Sequence, residues 1–445
     1  MKEYAIEDIR NVALIGHGST GKTSLSEAML FASKAINRLG RVDDGTTTSD
    51  FDPDEIRRNI SVNLSIVPCE WDNAKLNILD TPGYSDFVGE VKCGLRAADA
   101  ALIVVCAASG VQVGTEYAWA YADERKLSRL LFINRMDREN ADFFQTLSQL
   151  QGMFGPKCVA FQLPIGAQTT FQGVVDLLSM KAYLGEKGEV REIPEELVEQ
   201  AASLREKLVE AAAETDDTLV TKYLEGEELS EEELRRGLRA GVAGGSIVPV
   251  LTGSATKNVA VPLLMDAMSR YLPSPKDLPV EMQNGEPLAA DPKGPLAVLI
   301  FKTSADPYVG RLTYFRVYSG VLKADSQVWN ANKDVAERIG PLFFIHGKAQ
   351  EPAKVQEPEV VAGNAQETPQ QEDPELARIQ REREEIERYT KKMEALEKKP
   401  VAAPVPTGAD NSLFEKPFEA GDEPIGEAKA KQMLADLRAK TGNRK

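Results

Sequence analysis

A short glycine-rich segment near the start of the chain constrains its fold more than any other feature. Residues 16–23 read GHGSTGKT and lie between the apolar run Val12–Ile15 and residues 24–31, whose apolar positions have helical spacing. Such a loop between a strand and a helix is typical of a phosphate-binding loop, because its N–H groups and the helix dipole attract phosphate oxygens. In this pattern Lys22 reaches the β- and γ-phosphates and the Thr23 hydroxyl binds Mg²⁺. The segment therefore predicts a nucleotide site in an α/β fold.

Composition excludes several classes of protein. The length of 445 residues suggests about three domains. A net charge of −16 argues against indiscriminate binding of polyanions, although a local basic face could still contact RNA. The four cysteines have no CxxC spacing and there are only two histidines, so neither a disulfide framework nor a Cys/His zinc site is expected. We find no apolar signal core and no run of about 18 apolar residues. We therefore expect a cytoplasmic protein that binds neither membranes nor DNA.

A second motif follows a predicted strand. The alternating run 75–79 ends at Asp80-Thr81-Pro82-Gly83. On its own this tetrapeptide also fits an ordinary turn. After a strand, and downstream of a phosphate-binding loop, it predicts that Asp80 holds Mg²⁺ through water and that the Gly83 N–H approaches a γ-phosphate. Residues 40–61 lie between the two motifs and show no periodicity, which predicts a long irregular segment.

A third motif indicates which base is bound. The continuous apolar run 100–107 is typical of a strand buried on both faces of a parallel sheet. The next such run, 130–133, ends in Asn134-Arg135-Met136-Asp137, an NKxD pattern in which arginine replaces lysine. The Asp137 carboxylate can accept hydrogen bonds from the N1–H and amino groups of guanine. Adenine presents an acceptor at this place, which disfavours ATP.

The remaining signals predict further domains. Residues 158–245 interrupt the strand–helix alternation with a short β region and glutamate-rich helices, whose charged faces are expected to be solvated. The alternation resumes at strand 247–251 and closes with a helix at 261–272, which completes a domain over residues 1–280. Short strands with glycine turns then predict a small β-barrel over 281–365, cut short near its end.

The last part of the chain, residues 366–445, is predicted to be a charged helical and linker tail, partly disordered. Within it, residues 375–399 predict a helix. Apolar residues seven positions apart leave a coiled-coil partner site open, although a surface amphipathic helix is favoured.

Taken in order, these segments resemble elongation factor G and its elongation factor G-like paralogues. The matching stretches are GHGSTGKTSLSEAML, DTPGYSDFVGEV, INRMDRENADF, VPVLTGSATKNVAVPLLMDAMSRYLPSP and ADPYVGRLTYFRVYSGVLKADS. The resemblance covers about residues 8–345. It implies a P-loop GTPase fold, which is a doubly wound, mostly parallel sheet, with an inserted α+β subdomain at 158–245 and a β-barrel after it. It also implies GTP or GDP and Mg²⁺ as cofactors.

The resemblance also implies a set of site residues. Lys22, Gly83 and Tyr84 are expected to act in hydrolysis. Thr23 and Ser61 are expected to bind Mg²⁺, with Asp80 holding it through water. A turn at Ser254-Ala255 supplies a backbone N–H to the guanine carbonyl in this family. The predicted GTP-binding residues are Gly16, His17, Gly18, Ser19, Thr20, Gly21, Lys22, Thr23, Asp80, Thr81, Pro82, Gly83, Tyr84, Asn134, Arg135, Met136, Asp137, Ser254 and Ala255.

The chain departs from the family pattern at several of these positions. Tyr84 stands where most members carry the histidine that helps to place the attacking water. A neutral phenol can donate a hydrogen bond but cannot act as an imidazolium. Gly18 and Ser19 replace an apolar residue and an aspartate, which removes a carboxylate near the phosphates. Ser61 replaces a threonine and keeps the hydroxyl that binds Mg²⁺.

The resemblance implies a GTP-hydrolysing translation factor that acts at the ribosome in elongation, where family members move tRNA and mRNA. The expected partners are ribosomal RNA and stalk proteins, and the protein is expected to be a monomer off the ribosome. Two alternatives stay open. One is a GTP-dependent ribosome-binding or regulatory paralogue with little hydrolysis, and the other is a truncated form without translocation activity.

Overall fold

The computed structural model describes residues 4–282, 285–306, 310–353, 355–356, 358 and 360–366. The helix predicted over 375–399 and the rest of the predicted tail lie outside these residues. The strands are β1 (Ile9–Ile15), β2 (Ser65–Trp71), β3 (Ala74–Asp80), β4 (Ala100–Cys106), β5 (Ser128–Asn134), β6 (Cys158–Ala160), β7 (Gln162–Ile165), β8 (Gly173–Asp176), β9 (Lys181–Leu184), β10 (Glu189–Arg191), β11 (Val248–Thr252), β12 (Val280–Glu281), β13 (Pro287–Leu288), β14 (Ala297–Asp306), β15 (Gly310–Ser319), β16 (Leu322–Lys323), β17 (Gln327–Asn330), β18 (Val335–His346), β19 (Ala349–Ala353), β20 (Val355–Gln356) and β21 (Val360–Gln366).

The α-helices are α1 (Lys22–Ala32), α2 (Pro53–Arg58), α3 (Val88–Ala97), α4 (Val113–Glu124), α5 (Phe143–Phe154), α6 (Val198–Ala213), α7 (Asp217–Leu224), α8 (Glu231–Gly244) and α9 (Val261–Tyr271). In the described part of the chain, no helix combines the length and the apolarity that a bilayer span requires.

A seven-stranded sheet forms the centre of the molecule, in the order β2-β3-β1-β4-β5-β11-β6. All neighbouring strands are parallel except β2 and β3, which form an antiparallel hairpin. Every residue of β1, β4 and β5 is buried, which explains their continuous apolar runs. The carboxyl ends of β1, β3, β5 and β11 lie at one edge of the sheet, and this edge is where an open α/β fold places a ligand. The predicted doubly wound α/β fold is confirmed.

The region 158–245 contributes to two sheets. Strand β6 pairs in parallel with β11 at the edge of the central sheet, through Cys158 and Val248. Strands β7 to β10 form a separate four-stranded antiparallel sheet. Of the three helices that follow, α8 packs against β5, β11 and α9. The separate sheet and its helices give the α+β architecture that the resemblance implies.

The segment 40–61 differs from the predicted irregular structure because it contains the six-residue helix α2. A capping box starts this helix: the Asp52 side chain accepts from the Asp54 N–H at 2.8 Å, and the Asp52 N–H donates to Glu55 at 3.1 Å. Pro53 occupies the first helical position, where its missing N–H has no cost. A helix of this length is too short to give a visible hydrophobic period, so the sequence pattern did not reveal it.

Strands β14 to β21 form the antiparallel region that the sequence predicts after the α/β fold. The main sheet has the order β14-β15-β21-β18-β17, with β19 paired to β18. Strand β21 pairs with both β15 and β18, so the segment where the sequence predicts an interrupted barrel is an inner strand. The predicted truncation beyond this strand stays a prediction.

Two ion pairs join the antiparallel region to the α/β fold. Arg316 on β15 lies 2.5 Å from Asp99, and each side chain is only 3% exposed. Lys302 on β14 lies 2.5 Å from Glu90 on α3, and the same carboxylate oxygen accepts the Leu64 N–H at 2.7 Å. Apolar residues of both regions belong to one buried core. The two regions are therefore packed together through both apolar and charged contacts.

Candidate functional site

A cleft of about 520 Å³ opens at the carboxyl ends of the central strands. Its wall combines the loop between β1 and α1 with the segment 40–61 and the turns that follow β3, β5 and β11. The lining residues are Gly18, Ser19, Gly21, Lys22, Thr23, Ser24, Leu39, Gly40, Arg41, Val42, Asp43, Asp50, Asn59, Ile60, Ser61, Gly83, Tyr84, Arg135, Asp137, Arg138, Ala255 and Thr256. The three predicted motifs therefore meet in one cavity.

The loop between β1 and α1 has the geometry of a phosphate cradle. Gly21 adopts a left-handed conformation, with φ of 90°, and a Cβ atom there would lie 2.6 Å from Asn134 Nδ2. Only glycine fits this close approach without strain. Lys22 is buried at the start of α1, and its ammonium donates to the carbonyls of Gly16 and His17 at 3.1 and 2.9 Å. Burial lowers the pKa of Lys22 to about 8.

The residues predicted to bind Mg²⁺ lie together. The hydroxyl oxygens of Thr23 and Ser61 are 2.9 Å apart. Asp80 is buried, and one of its oxygens accepts from Ser26 and Ser49 at 3.0 and 2.9 Å. The other oxygen of Asp80 is buried and has no hydrogen-bond partner. A buried carboxylate oxygen without a partner is a group that a cation can pair with.

Asp50 adds a second carboxylate that the sequence did not identify. Burial and the nearby charge of Asp80 raise the pKa of Asp50 to about 7. Burial likewise raises the pKa of Asp80. This set of oxygen donors fits Mg²⁺, which is bound in proteins by one or two carboxylates together with hydroxyls, water and substrate phosphates. The described residues contain no cluster of three or more His, Cys, Asp and Glu that would form an all-protein metal cage.

The motif at residues 134–137 forms the end of the site that is expected to hold the base. Asp137 has one buried carboxylate oxygen without a hydrogen-bond partner, while the other accepts from the Thr256 hydroxyl at 3.4 Å. Asn134 connects three loops, because its amide donates to Thr20 O at 3.0 Å and its oxygen accepts from the N–H of Ala255 at 3.0 Å. Asn134 therefore braces the site, and Asp137 offers the free acceptor that a guanine base requires.

The Ser254-Ala255 turn is held by hydrogen bonds within the protein. The N–H of Ser254 donates to Val259 O at 3.1 Å, and that of Ala255 donates to Asn134. These two N–H groups thus serve contacts within the protein in this structure. Ala255 lines the cleft, whereas Ser254 is buried outside its lining.

The predicted site residues fall into two groups. Those that line the cleft are Gly18, Ser19, Gly21, Lys22, Thr23, Ser61, Gly83, Tyr84, Arg135, Asp137 and Ala255, and those that lie outside its lining are Gly16, His17, Thr20, Asp80, Thr81, Pro82, Asn134, Met136 and Ser254. Several of the second group have structural contacts. His17 accepts from the Gly114 N–H at 3.2 Å, and Thr81 donates to Leu14 O at 2.6 Å. Met136 is fully buried.

The sequence did not identify the other lining residues. Most come from the segment 40–61, where Ser61 was the only predicted contact. The long aperiodic composition of this segment is the available signal, since such segments are often functional. Thr256 and Arg138 each lie next to a predicted residue and could have been found by extending the motifs.

Comparison with known proteins agrees with this geometry. The profile of the family described as "Elongation factor Tu GTP binding domain" matches residues 7–274. The chain belongs to this translational GTPase family. The profile described as "Elongation factor G domain 2" matches residues 295–368. The crystal structure of a protein from Thermus thermophilus matches 81% of this chain, with 34% sequence identity and a TM-score of 0.73.

The match covers 53% of that Thermus protein, so the present translational GTPase spans about half the length of the solved structure it matches. The two matched domains follow one another in the chain, and the first belongs to a family of GTP-binding domains.

Replacing Asp50 with asparagine is expected to stabilise this GTPase in the absence of metal above about pH 6. The pKa of Asp50, about 7, lies above its ordinary value of 3.8, so the folded protein binds more protons than the unfolded protein between these values. The free energy of unfolding of the wild type should therefore fall as pH rises through this window. In the variant this slope should be smaller by the contribution of about one titrating proton. Thermal unfolding from pH 4 to 8 in EDTA measures this difference.

The exposed Asp44→Asn variant is the control, because it lines neither the carboxylate cluster nor the cleft. Added Mg²⁺ should stabilise wild type more than the Asp50→Asn variant. Equal pH slopes in the two variants would contradict the raised pKa of Asp50.

Proposed function

We propose that this chain binds GTP together with Mg²⁺ and hydrolyses it to GDP and phosphate while bound to the ribosome in translation elongation. One observation carries the proposal: a single cleft is lined both by Lys22 and Thr23 and by Asp137, whose buried oxygen lacks a partner. The first two suit the phosphates and the third suits guanine. Family membership supports the ribosome as the partner, and a cytoplasmic location follows from that partner.

The residues divide the chemistry among them. Lys22 and the loop N–H groups would stabilise negative charge on the bridging and γ-phosphate oxygens. Thr23 and Ser61 would bind Mg²⁺ through their hydroxyls, and Asp80 would hold it through water. When bound, Mg²⁺ neutralises charge on the β- and γ-phosphates. Water attacks the γ-phosphorus, and the bond between this phosphorus and the bridging oxygen breaks, so that GDP leaves.

Two residues after β3 would orient this water. A Cβ atom at Gly83 would lie 2.4 Å from Lys22 Nζ, so the Gly83 backbone passes directly beside the lysine that contacts the phosphates. The Tyr84 side chain is 43% exposed and lines the same cleft. Its phenol can donate to or accept from water, but it cannot supply the positive charge of an imidazolium.

The segment 40–61 would respond to the γ-phosphate. Glu27 on α1 accepts the N–H groups of Gly40 and Thr48 at 3.2 and 2.8 Å, so it holds both ends of the first part of this segment. Ser61 lies at its far end, beside Thr23. Binding of the triphosphate would order this segment through Ser61, as in switches that read a γ-phosphate.

A second function is favoured by one observation. Because Tyr84 is a neutral phenol at the place of the water-orienting residue, the chain could bind GTP and the ribosome while hydrolysing GTP slowly. Such a protein would occupy or monitor ribosomes as a nucleotide-dependent binding module. Its role would depend on the GTP-bound state persisting.

Replacing Tyr84 with phenylalanine is expected to lower the ribosome-stimulated rate of GTP hydrolysis by about tenfold to a hundredfold, because the hydroxyl that orients water is lost. GTP affinity should change by less than about twofold, because the ring remains. Single-turnover hydrolysis and equilibrium titration with GTP measure the two effects. Tyr117→Phe is the matched control, since this tyrosine is 51% exposed and lies outside the nucleotide cleft. An unchanged stimulated rate would remove Tyr84 from the mechanism.

A further inference from the structure

Tyr84 is distant in sequence from the adjacent residues Gly18 and Ser19 but contacts both in the structure. The phenol oxygen of Tyr84 lies 3.4 Å from the hydroxyl oxygen of Ser19, and either atom can be the donor. All three residues line the nucleotide cleft. They are also positions where the chain departs from the pattern of its family, so their contact suggests one combined purpose.

The Tyr84 ring lies across the backbone of Gly18. A Cβ atom at Gly18 would lie 3.0 Å from the ring carbon Cζ and 3.2 Å from each of its neighbours, Cε1 and Cε2. The equal distances place the far half of the ring directly over this position. Gly83 also lies close to Gly18, since a Cβ there would lie 2.8 Å from Gly18 Cα. A side chain at position 18 would therefore push the ring away from the loop by at least a few tenths of an ångström.

Ser19 fixes the hydroxyl end of the same ring. Its φ of 60° is in the left-handed region, and this exposed residue lines the cleft. A serine hydroxyl both donates and accepts, whereas a carboxylate only accepts. A carboxylate at this position would bind the phenol hydrogen. A serine can instead donate to the phenol oxygen, which leaves the phenol hydrogen for an acceptor inside the cleft.

We propose that Gly18 and Ser19 are positioning residues for Tyr84: Gly18 seats the ring on the phosphate-binding loop, and Ser19 donates to the phenol oxygen. The phenol O–H then points to an oxygen acceptor at the phosphate end of the cleft, either a γ-phosphate oxygen or the attacking water. This inference rests on the proposed hydrolysis of GTP. It explains why a hydroxyl, and not only a small residue, is present at position 19.

The seating of the ring can be tested without nucleotide. Incorporation of 3-fluorotyrosine at position 84 gives a ¹⁹F NMR signal that reports the surroundings of the ring. Gly18→Ala should shift this signal because the methyl group displaces the ring. Gly152→Ala on α5 is the matched control, since a Cβ there has no atom within 4 Å. An unshifted signal in Gly18→Ala would overturn the seating of Tyr84, whatever the protein does with GTP.

The direction of the hydrogen bond is tested by three substitutions of Ser19. Ser19→Ala should lower the ribosome-stimulated kcat about threefold to tenfold with little change in KM, since one hydrogen bond to the phenol is lost. Ser19→Asn should restore the rate, because its amide donates and asparagine tolerates a positive φ. Ser19→Asp should not restore it, because it only accepts. If the contact between Ser19 and Tyr84 were merely structural, asparagine and aspartate would restore the rate equally.

A double variant completes the test. Ser19→Ala combined with Tyr84→Phe should be no slower than Tyr84→Phe alone, because both changes remove the same interaction. Additive losses, or an equal rescue by Asn and Asp, would overturn the proposal. If the wild type fails to bind GTP in an equilibrium titration, the proposed function is refuted instead. The ¹⁹F result would still decide the seating of Tyr84.

Discussion

Asp137→Asn is expected to weaken GTP binding at least about a hundredfold, while binding of xanthosine triphosphate increases. The carboxylate has one buried oxygen without a partner, and guanine would donate its N1–H and amino groups to this side chain. An amide presents an N–H towards the guanine amino group, so that two donors face each other and a buried polar group is left unpaired. Xanthine carries a carbonyl at this place, which accepts from the amide. Competition titrations with the two nucleotides measure the change in their relative affinities.

Asp72→Asn is the matched control for this experiment. Asp72 is exposed in the hairpin turn between β2 and β3, and its positive φ of 45° also suits asparagine. Its substitution should leave the affinity for both nucleotides unchanged. If Asp137→Asn kept its preference for GTP, base recognition would have to come from another part of the cleft.

Asp99→Ala is expected to lower the free energy of unfolding by about 3–5 kcal/mol, because it leaves the Arg316 guanidinium buried and unpaired. Arg316 also donates to Ala97 O at 3.0 Å, and Asp99 accepts from Asn11 at 2.7 Å, so these side chains join β15 to the central sheet. Chemical denaturation measures the loss. Adding Arg316→Met should recover part of it, since the unpaired charge is then removed.

An exposed ion pair provides the comparison for this effect. Arg191 and Glu189 lie 3.1 Å apart with side chains that are 65% and 62% exposed. Glu189→Ala should change the free energy of unfolding by less than about 1 kcal/mol, because solvent screens such pairs. A similar small effect of Asp99→Ala would show that the antiparallel region is not held by the buried pair.

Much of the α/β fold could be predicted from the sequence because its central strands are buried on both faces. The run 100–107 was predicted as a strand, and the structure forms β4 over Ala100–Cys106. The motifs after β1, β3 and β5 then had to lie together, since parallel strands end at one edge of the sheet. The predicted phosphate loop, Asp80 and Asp137 owe their placement to this topology.

The parts that were not predicted depend on contacts between distant residues. Nothing in the local sequence shows that Asp50 lies near Asp80, because the segment that carries it has no period. The pairing of β6 with β11 depends on the insert returning its chain to the sheet edge. The contact between Tyr84 and Gly18 likewise arises only when two loops meet, so the local sequence does not reveal it.

We expect this chain to hydrolyse GTP in response to the ribosome, and single-turnover hydrolysis with and without ribosomes tests this most directly. Radiolabelled GTP bound to the protein with Mg²⁺ should be converted to GDP slowly alone and at least about a hundredfold faster with ribosomes. Tight GTP binding without any acceleration would contradict the claim and leave the chain as a nucleotide-dependent binding module.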